Sequence, residues 1–223
     1  MVRGLKCIGN VFPRRAGRFY EASGACLRNI MRCSGGTALA LHIGHSVTED
    51  LDFFTAEEFR GESIISEIRK TGNPFRIISE GEGYLVADVG GVKVSLFKYE
   101  YPFLEKPLML DGVRVAGILD IASMKVIAIS QRGTKRDFVD LFLVIEEISF
   151  HKVAEYMVRR FGKERINPVH IGKSLVYFSD AESDPEPLYG MGKDVSWDAV
   201  KGFFRGHVKQ FVLDLDTAVR GYT

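Results

Sequence analysis

Two β-prone runs flank a pair of glycines in the N-terminal half. Tyr84-Leu-Val-Ala-Asp-Val89 precedes Gly90-Gly91 and Val92-Lys-Val-Ser-Leu-Phe97 follows it. Apolar runs joined by two glycines specify a β-hairpin with a tight turn. Side-chain alternation then puts Lys93, Ser95 and Phe97 on one face and Val92, Val94 and Leu96 on the other. Further strands are expected at Ile30–Cys33, around Leu51, Phe53 and Phe54, and at Val113–Ala116. Helices are expected at Phe19–Met31, weakened by Gly24, from Thr37 as a cap through Ala38–Ile43, and at Glu57–Thr71, where Phe59, Ile64, Ile65 and Ile68 form an apolar stripe. From Ile118 the pattern turns helical. Ile118–Gln131 is apolar on most sides and reads as buried. Thr134–Ile148 follows, with Thr134 as cap and Asp137 at the third helical position. Lys152–Phe161 and an amphipathic Ser196–Val219 come next, while Pro168 and Ser179–Pro187 read as loops. The fold class expected is α+β: a β-containing core over 1–116, then a helical region over 117–223.

Composition excludes several classes of protein. The 223 residues are 46% hydrophobic and 26% charged, which rules out an intrinsically disordered chain. The 30 Lys and Arg against 29 Asp and Glu leave a formal charge of +1, so no whole-protein basic footprint for nucleic acid exists. The three cysteines, Cys7, Cys26 and Cys33, include no CxxC and suit a reducing compartment. No apolar run reaches the ~18 residues of a membrane span. The opening MVRGLKCIGNVFPRR lacks the apolar core of a signal peptide, so a cytoplasmic location is expected.

The residues most able to carry chemistry are Ser34-Gly35-Gly36-Thr37 and, shortly after, Asp50-Leu51-Asp52. Residues two apart on a strand share a face, so both carboxylates aim one way. Two parallel carboxylates repel unless a cation neutralises them, and hard oxygen donors select Mg²⁺ or Mn²⁺. A glycine pair opening a helix lets backbone N–H groups approach phosphate. The alternative reading makes Asp50 and Asp52 ordinary strand-end residues and the glycines a turn. Lys125 lies on an apolar helix, where an ammonium needs a partner. It either reaches toward phosphate charge or pairs with an aspartate of the neighbouring helix. Arg132-Gly-Thr-Lys135-Arg136-Asp137-Phe-Val-Asp140 is either a charged helix start, with Arg136 and Asp140 able to pair four apart, or a basic edge for nucleotide phosphates. None of the five histidines has metal-ligand spacing. His42 and His45 read as packing or surface residues, and Trp197, Phe203 and Phe204 as core.

Three blocks together, GGTALALHIGHSVTEDLDFFT at 35–55, DIASMKVIAISQRGTKRDFVDLF at 120–142 and KSLVYFSDAESDP at 173–185, resemble the AbiEii family of nucleotidyltransferase-like toxins, within the DNA polymerase beta-type superfamily. The resemblance implies a mixed-sheet nucleotidyltransferase core and a helical C-terminal region. It implies metal-dependent transfer of a nucleoside monophosphate from an NTP to an acceptor such as tRNA, in a toxin–antitoxin or phage-defence pair with a cognate antitoxin. Carried over, Ser34, Gly35, Gly36 and Thr37 form the phosphate-binding turn, and Asp50 and Asp52 are the Mg²⁺ or Mn²⁺ carboxylates. Lys125, Lys135 and Arg136 face nucleotide phosphates, and Asp137 and Asp140 support them. Two departures stand out. Ser95 occupies the place where the superfamily often supplies a third carboxylate, with Asp88, Glu100 and Asp120 as substitutes to consider. Gly44-His45-Ser46 replaces the usual GHR, losing one basic contact. These departures keep a second reading open, a catalytically weakened nucleotide-binding protein on the same scaffold. A third, a metal-dependent phosphohydrolase, differs in needing no acceptor.

Overall fold

The computed structural model describes residues 31–45, 50–70, 72–110, 113–187 and 195–222. The expected helix at Phe19–Met31, the start of the Ile30–Cys33 strand, Cys7, Cys26 and Ser46 therefore lie outside the described residues, apart from Met31 at the helix's end. The chain divides into two compact units. The first runs to Pro102 and resumes over Lys106–Gly117, and the second comprises Phe103–Glu105 and Ile118 onward.

The first unit is built on a sheet ordered β3-β4-β5-β2-β1-β7-β6. Its strands are β1 (Arg32–Cys33), β2 (Asp50–Thr55), β3 (Phe75–Gly81), β4 (Tyr84–Val89), β5 (Val92–Lys98), β6 (Leu108–Leu110) and β7 (Val113–Val115). Pairing is mixed: β2 runs parallel to β5 and β1 parallel to β7, while β1–β2, β3–β4, β4–β5 and β6–β7 are antiparallel. The β4–β5 hairpin forms as the sequence predicts. Gly90 and Gly91 have φ of 62° and 84°, the doubly left-handed turn that twists with the strands. Alternation sorts one apolar face, with Leu51 and Phe53 of β2, Val92, Val94 and Leu96 of β5, and Leu85, Ala87 and Val89 of β4 all buried. Helix α1 (Gly35–Ile43) follows β1, and α2 (Gly61–Lys70) packs on β3 and β4 with Ile64, Ile65 and Ile68 buried.

Local expectations shift in four places here. Thr37 is not the cap of α1. Ser34 takes that position, and Thr37 sits inside the helix. Helix α2 starts at Gly61, not Glu57, because Glu57 N donates to Thr55 Oγ1 at 3.1 Å and holds the chain in a turn. Strand β3 has no counterpart among the expected strands. It is a largely exposed edge strand, and its register shifts between Ile77 and Ser79, so no alternation marks it. The three-residue β6 is too short to leave a pattern.

The second unit is helical: α3 (Ile118–Gln131), α4 (Lys135–Glu147), α5 (Phe150–Phe161), a 3₁₀ turn (Lys163–Arg165), α6 (Pro168–Ser174), α7 (Ser179–Glu182) and α8 (Trp197–Gly221). Thr134 caps α4 by accepting from Asp137 N, as the sequence predicts. Helix α8 spans 25 residues and buries Val200, Phe204, Phe211, Leu215 and Ala218 along one stripe. The rings of Phe178, Trp197 and Phe204 lie 5.1–5.8 Å from that of Phe138, which is fully buried. Phe204 is core, while Trp197 and Phe203 are half-buried. Two expected loops are helical. Pro168 opens α6, because a first-turn position needs no N–H and Asn167 caps it. Residues Ser179–Glu182 form the single turn α7.

Asp120, in the first turn of α3, holds Phe103–Glu105 in this unit. Its carboxylate accepts from Leu104 N at 3.0 Å, Glu105 N at 3.2 Å and Tyr156 Oη at 2.6 Å. Arg160 lies beside it and donates to Asp120 O at 2.6 Å and Ser123 Oγ at 2.8 Å. Burial, then the Asp120 carboxylate, pushes the Tyr156 hydroxyl well above its ordinary range. No helix among the described residues is long and apolar enough to cross a membrane.

Candidate functional site

The face of the sheet opposite the apolar one carries Asp50, Asp52 and Phe54 of β2 and Lys93, Ser95 and Phe97 of β5, in direct register pair by pair. Paired residues on neighbouring strands share a face. At one end Phe54 and Phe97 meet with ring centroids 5.5 Å apart. Toward the other the face becomes polar. Asp52 stands opposite Ser95, which is 3% exposed, and Asp50 stands opposite Lys93. Lys93 Nζ lies 3.7 Å from Asp50 Oδ2.

The turn between β1 and α1 is fastened to these two aspartates. Ser34 N donates to Asp52 O at 3.0 Å, and Thr37 Oγ1 donates to Asp50 O at 2.5 Å. The first turn of α1 is thus bonded to the backbone of both acidic residues. Gly35 has φ of 73°, a left-handed conformation that an L side chain adopts only with strain. A Cβ there would stand 3.6 Å from Asp52 Oδ2, which puts the carboxylate beside the start of the helix. Gly36 is buried behind it. Cys33, one residue earlier, is fully buried, and burial followed by the Asp52 charge pushes its thiol up.

The donor set fits a hard divalent cation. Two carboxylates share one face, and Mg²⁺ is commonly held by one or two carboxylates together with substrate phosphates. Among the described residues no group of three or more His, Cys, Asp and Glu is placed to hold a metal ion. The substitutes considered for a third carboxylate go elsewhere. Asp88 is on β4, in register with Lys93 rather than Asp52, and its Oδ1 accepts from Gly91 N at 3.1 Å. Asp120 is bound into the second unit as described above. Glu100 is exposed, past the end of β5.

The second unit holds the other basic candidates. Lys125 Nζ is 2.8 Å from Asp137 Oδ1 and 2.6 Å from Asp140 Oδ2, with all three side chains at most 8% exposed. Thr134 Oγ1 donates to Asp137 Oδ2 at 2.6 Å, and Arg132 Nε is 3.4 Å from that oxygen. Burial alone would pull the Lys125 ammonium down, but Asp140 and Asp137 outweigh it and the net direction is up. Burial opposes ionisation of Asp137 too, yet Lys125, Thr134 and Arg132 hold that carboxyl below its usual range. Lys135 is buried, with its Nζ 2.9 Å from Glu186 Oε1 and 5.6 Å from the Trp197 ring centre, and its backbone N donates to Asp184 Oδ2 at 2.8 Å. Arg136 is half-exposed, and Asp140 turns to Lys125. His42 Nε2 donates to Ala116 O at 2.8 Å and His45 is buried.

The residue that sequence reasoning passed over is Lys93. Alternation placed it with Ser95, but its position opposite Asp50 depends on the parallel β2–β5 register, which joins segments some forty residues apart.

A family model described as nucleotidyl transferase AbiEii toxin, type IV toxin–antitoxin system, matches residues 34–220. The uncharacterised protein aq_aa25 of Aquifex aeolicus (strain VF5) is 38% identical over 186 residues, covering 80% of this chain and 86% of its own. Among solved structures, JHP933 from Helicobacter pylori aligns with a TM-score of 0.53 at 16% identity, over 95% of this chain and 97% of its own. A second H. pylori structure, described as that of a candidate nucleotidyltransferase, aligns with a TM-score of 0.53 at 15% identity, over 92% of this chain and 98% of its own. At such identities the two structures speak to the fold alone.

Proposed function

The chain belongs to the AbiEii nucleotidyltransferase toxin family, and from that premise we propose that it transfers a nucleoside monophosphate from an NTP to an acceptor at the Asp50–Asp52 face. The observation that carries this reading is the joining of the α1 start to both aspartates, with Gly35 beside the Asp52 carboxylate. Asp50 and Asp52 would hold Mg²⁺ or Mn²⁺, which when bound offsets triphosphate charge and acidifies the acceptor hydroxyl. The N–H groups at the start of α1 receive phosphate oxygens. The acceptor hydroxyl releases its proton to water and attacks the α-phosphorus in line, one P–O bond forms, the bond to the β-phosphate bridge breaks, and pyrophosphate leaves. A nucleic-acid acceptor such as tRNA, and service as the toxin of a pair with a cognate antitoxin or in phage defence, follow from the family and complete the proposal. Lys125, Lys135 and Arg136 are assigned to the nucleotide phosphates by that resemblance, with Asp137 and Asp140 supporting them. The ion pairs of Lys125 support a further, structural task for it, joining α3 to α4.

The test is Mg²⁺-dependent incorporation of label from each of the four NTPs into bulk RNA, wild type against Asp52→Asn. Incorporation that the variant loses by about 10²-fold or more is expected, the scale of a lost transition-state charge contact. Nucleotide binding without incorporation over a broad acceptor screen favours a binding protein on the same scaffold, the reading that Ser95 opposite Asp52 supports. Release of NMP or NDP without an acceptor indicates a phosphohydrolase.

A further inference from the structure

Lys93 stands on the acidic face and has no part in the scheme above. Its Cα is in register with Asp50 on one side and Asp88 on the other. Asp88 is turned to the hairpin, where Oδ1 accepts from Gly91 N. Lys93 instead leans to Asp50, 3.7 Å away, with the two side chains 51% and 43% exposed. Two residues on, Ser95 presents an uncharged hydroxyl side to Asp52. The four positions form a square in which one carboxylate stands beside an ammonium and the other beside a serine. Two carboxylates and one ammonium leave that square one negative charge, so Lys93 lowers its attraction for any second cation. An ion pair this exposed is weak and breaks readily. The ammonium sits on a flexible four-carbon stem with three donors, suited to moving between acidic partners.

We propose that Lys93 is an exchangeable cation of this site. It holds Asp50 in the nucleotide-free protein and passes to the triphosphate when Asp50 ligates a divalent ion, so that metal and nucleotide enter as a coupled pair. The coupling is reciprocal: nucleotide draws Lys93 from Asp50 and raises metal affinity, and metal at Asp50 releases Lys93 and raises nucleotide affinity. The inference rests on the nucleotidyltransferase reading of the face.

The experiment is a Mn²⁺ titration followed by the electron paramagnetic resonance of free Mn²⁺, with and without a non-hydrolysable NTP analogue. The proteins are wild type, Lys93→Met, Lys93→Arg and, as the loss-of-site control, Asp52→Asn. Without nucleotide, Lys93→Met binds Mn²⁺ about three- to tenfold tighter than wild type, the effect of removing one screened surface charge. The analogue tightens Mn²⁺ binding in wild type, and in Lys93→Met that enhancement shrinks by a similar factor. Lys93→Arg keeps the wild-type pattern. A Lys93→Met protein indistinguishable from wild type in both titrations overturns the inference and leaves the reading of the face intact. Looser nucleotide-free binding by Lys93→Met also overturns it. Wild type that takes up neither Mn²⁺ nor the analogue, or whose uptake is unchanged in Asp52→Asn, brings down the reading of the face and this inference with it.

Discussion

The two units each pair a lysine with aspartate, and they do so under opposite conditions. In the sheet unit, Lys93 meets Asp50 at 3.7 Å with about half of each side chain in water. In the helical unit, Lys125 is gripped by Asp137 and Asp140 at 2.8 and 2.6 Å with almost no exposure. Water and salt screen the first pair, so it adds little to folding and can trade partners. The second lies where a lone charge is strongly unfavourable, so each member is held by the others. The same two residue types thus make an adjustable contact in one place and a fixed joint in the other, and burial alone decides which.

The comparison breaks first at Lys125. Lys125→Ala leaves two buried carboxylates facing each other and is expected to destabilise the protein by about 3–5 kcal/mol in denaturant unfolding. A loss below about 1 kcal/mol would mean that water reaches the cluster and that the contrast drawn above is wrong. Adding Asp140→Asn to Lys125→Met should recover part of the loss. Should nucleotide affinity remain low in that repaired double variant, Lys125 also serves the phosphates.

Acid reaches a smaller part of the same energy. The Asp137 carboxyl is held below its ordinary value. Its contribution is therefore complete above the unfolded carboxylate value near pH ~4 and is lost as pH falls through the lower folded value. Lys125 is shifted up, so its contribution is complete below the ordinary lysine value near ~10.4 and is lost only as pH rises through the still higher folded one. Stability from this cluster should be flat between those limits, with an acid-side loss that Asp137→Asn diminishes. An acid limb unchanged in that variant would place the loss elsewhere.

Ser95→Asp sharpens the other side of the comparison. A third carboxylate opposite Asp52 should tighten nucleotide-free Mn²⁺ binding by about tenfold, a change of about 1.4 kcal/mol. Tight nucleotide-free binding by wild type would instead show that another group completes the site. The smallest effect is expected at Lys93→Ala, whose unfolding free energy should move by only ~0–1 kcal/mol. A larger loss would make the surface pair a fixed joint too.

Much of the fold is legible in the sequence because it rests on local chemistry. Gly90-Gly91 specify the hairpin turn, Thr134 and Asp137 make a cap, and the apolar stripe of α8 repeats at helical spacing. Edge strand β3 hides because exposure on both faces erases alternation, and α6 hides because Pro168 both ends helices and begins them. The common face of Asp50 and Asp52 could be read from spacing alone. The joining of Thr37 to Asp50 and the Lys93–Asp50 pair could not, since both are tertiary contacts, the first set by how the chain returns from α1 into β2 and the second by the parallel β2–β5 register. Lys125 shows a different limit. The sequence offered a phosphate contact and an aspartate pair as alternatives, and the pattern of an apolar helix does not say that two aspartates one turn apart will close on a single ammonium.

The capture of Phe103–Glu105 by Asp120 has a consequence for inheritance. The chain passes between its two units three times, at 102/103, 105/106 and 117/118, so no single crossover exchanges one unit cleanly for that of a relative. A hybrid joined at 117/118 would bring a foreign tripeptide to Asp120, whose carboxylate accepts from the backbone N–H groups of Leu104 and Glu105. Backbone donors are supplied by any non-proline residue, but Glu105 Oε2 also accepts from Leu119 N at 2.7 Å and the Phe103 ring lies 4.9 Å from the Arg160 guanidinium, so such a hybrid depends on loop length and on those two side chains. Recombinants that alter the spacing between β5 and β6, or that lose Phe103 or Glu105, should be destabilised, whereas those that change only the exposed Leu104 side chain should survive.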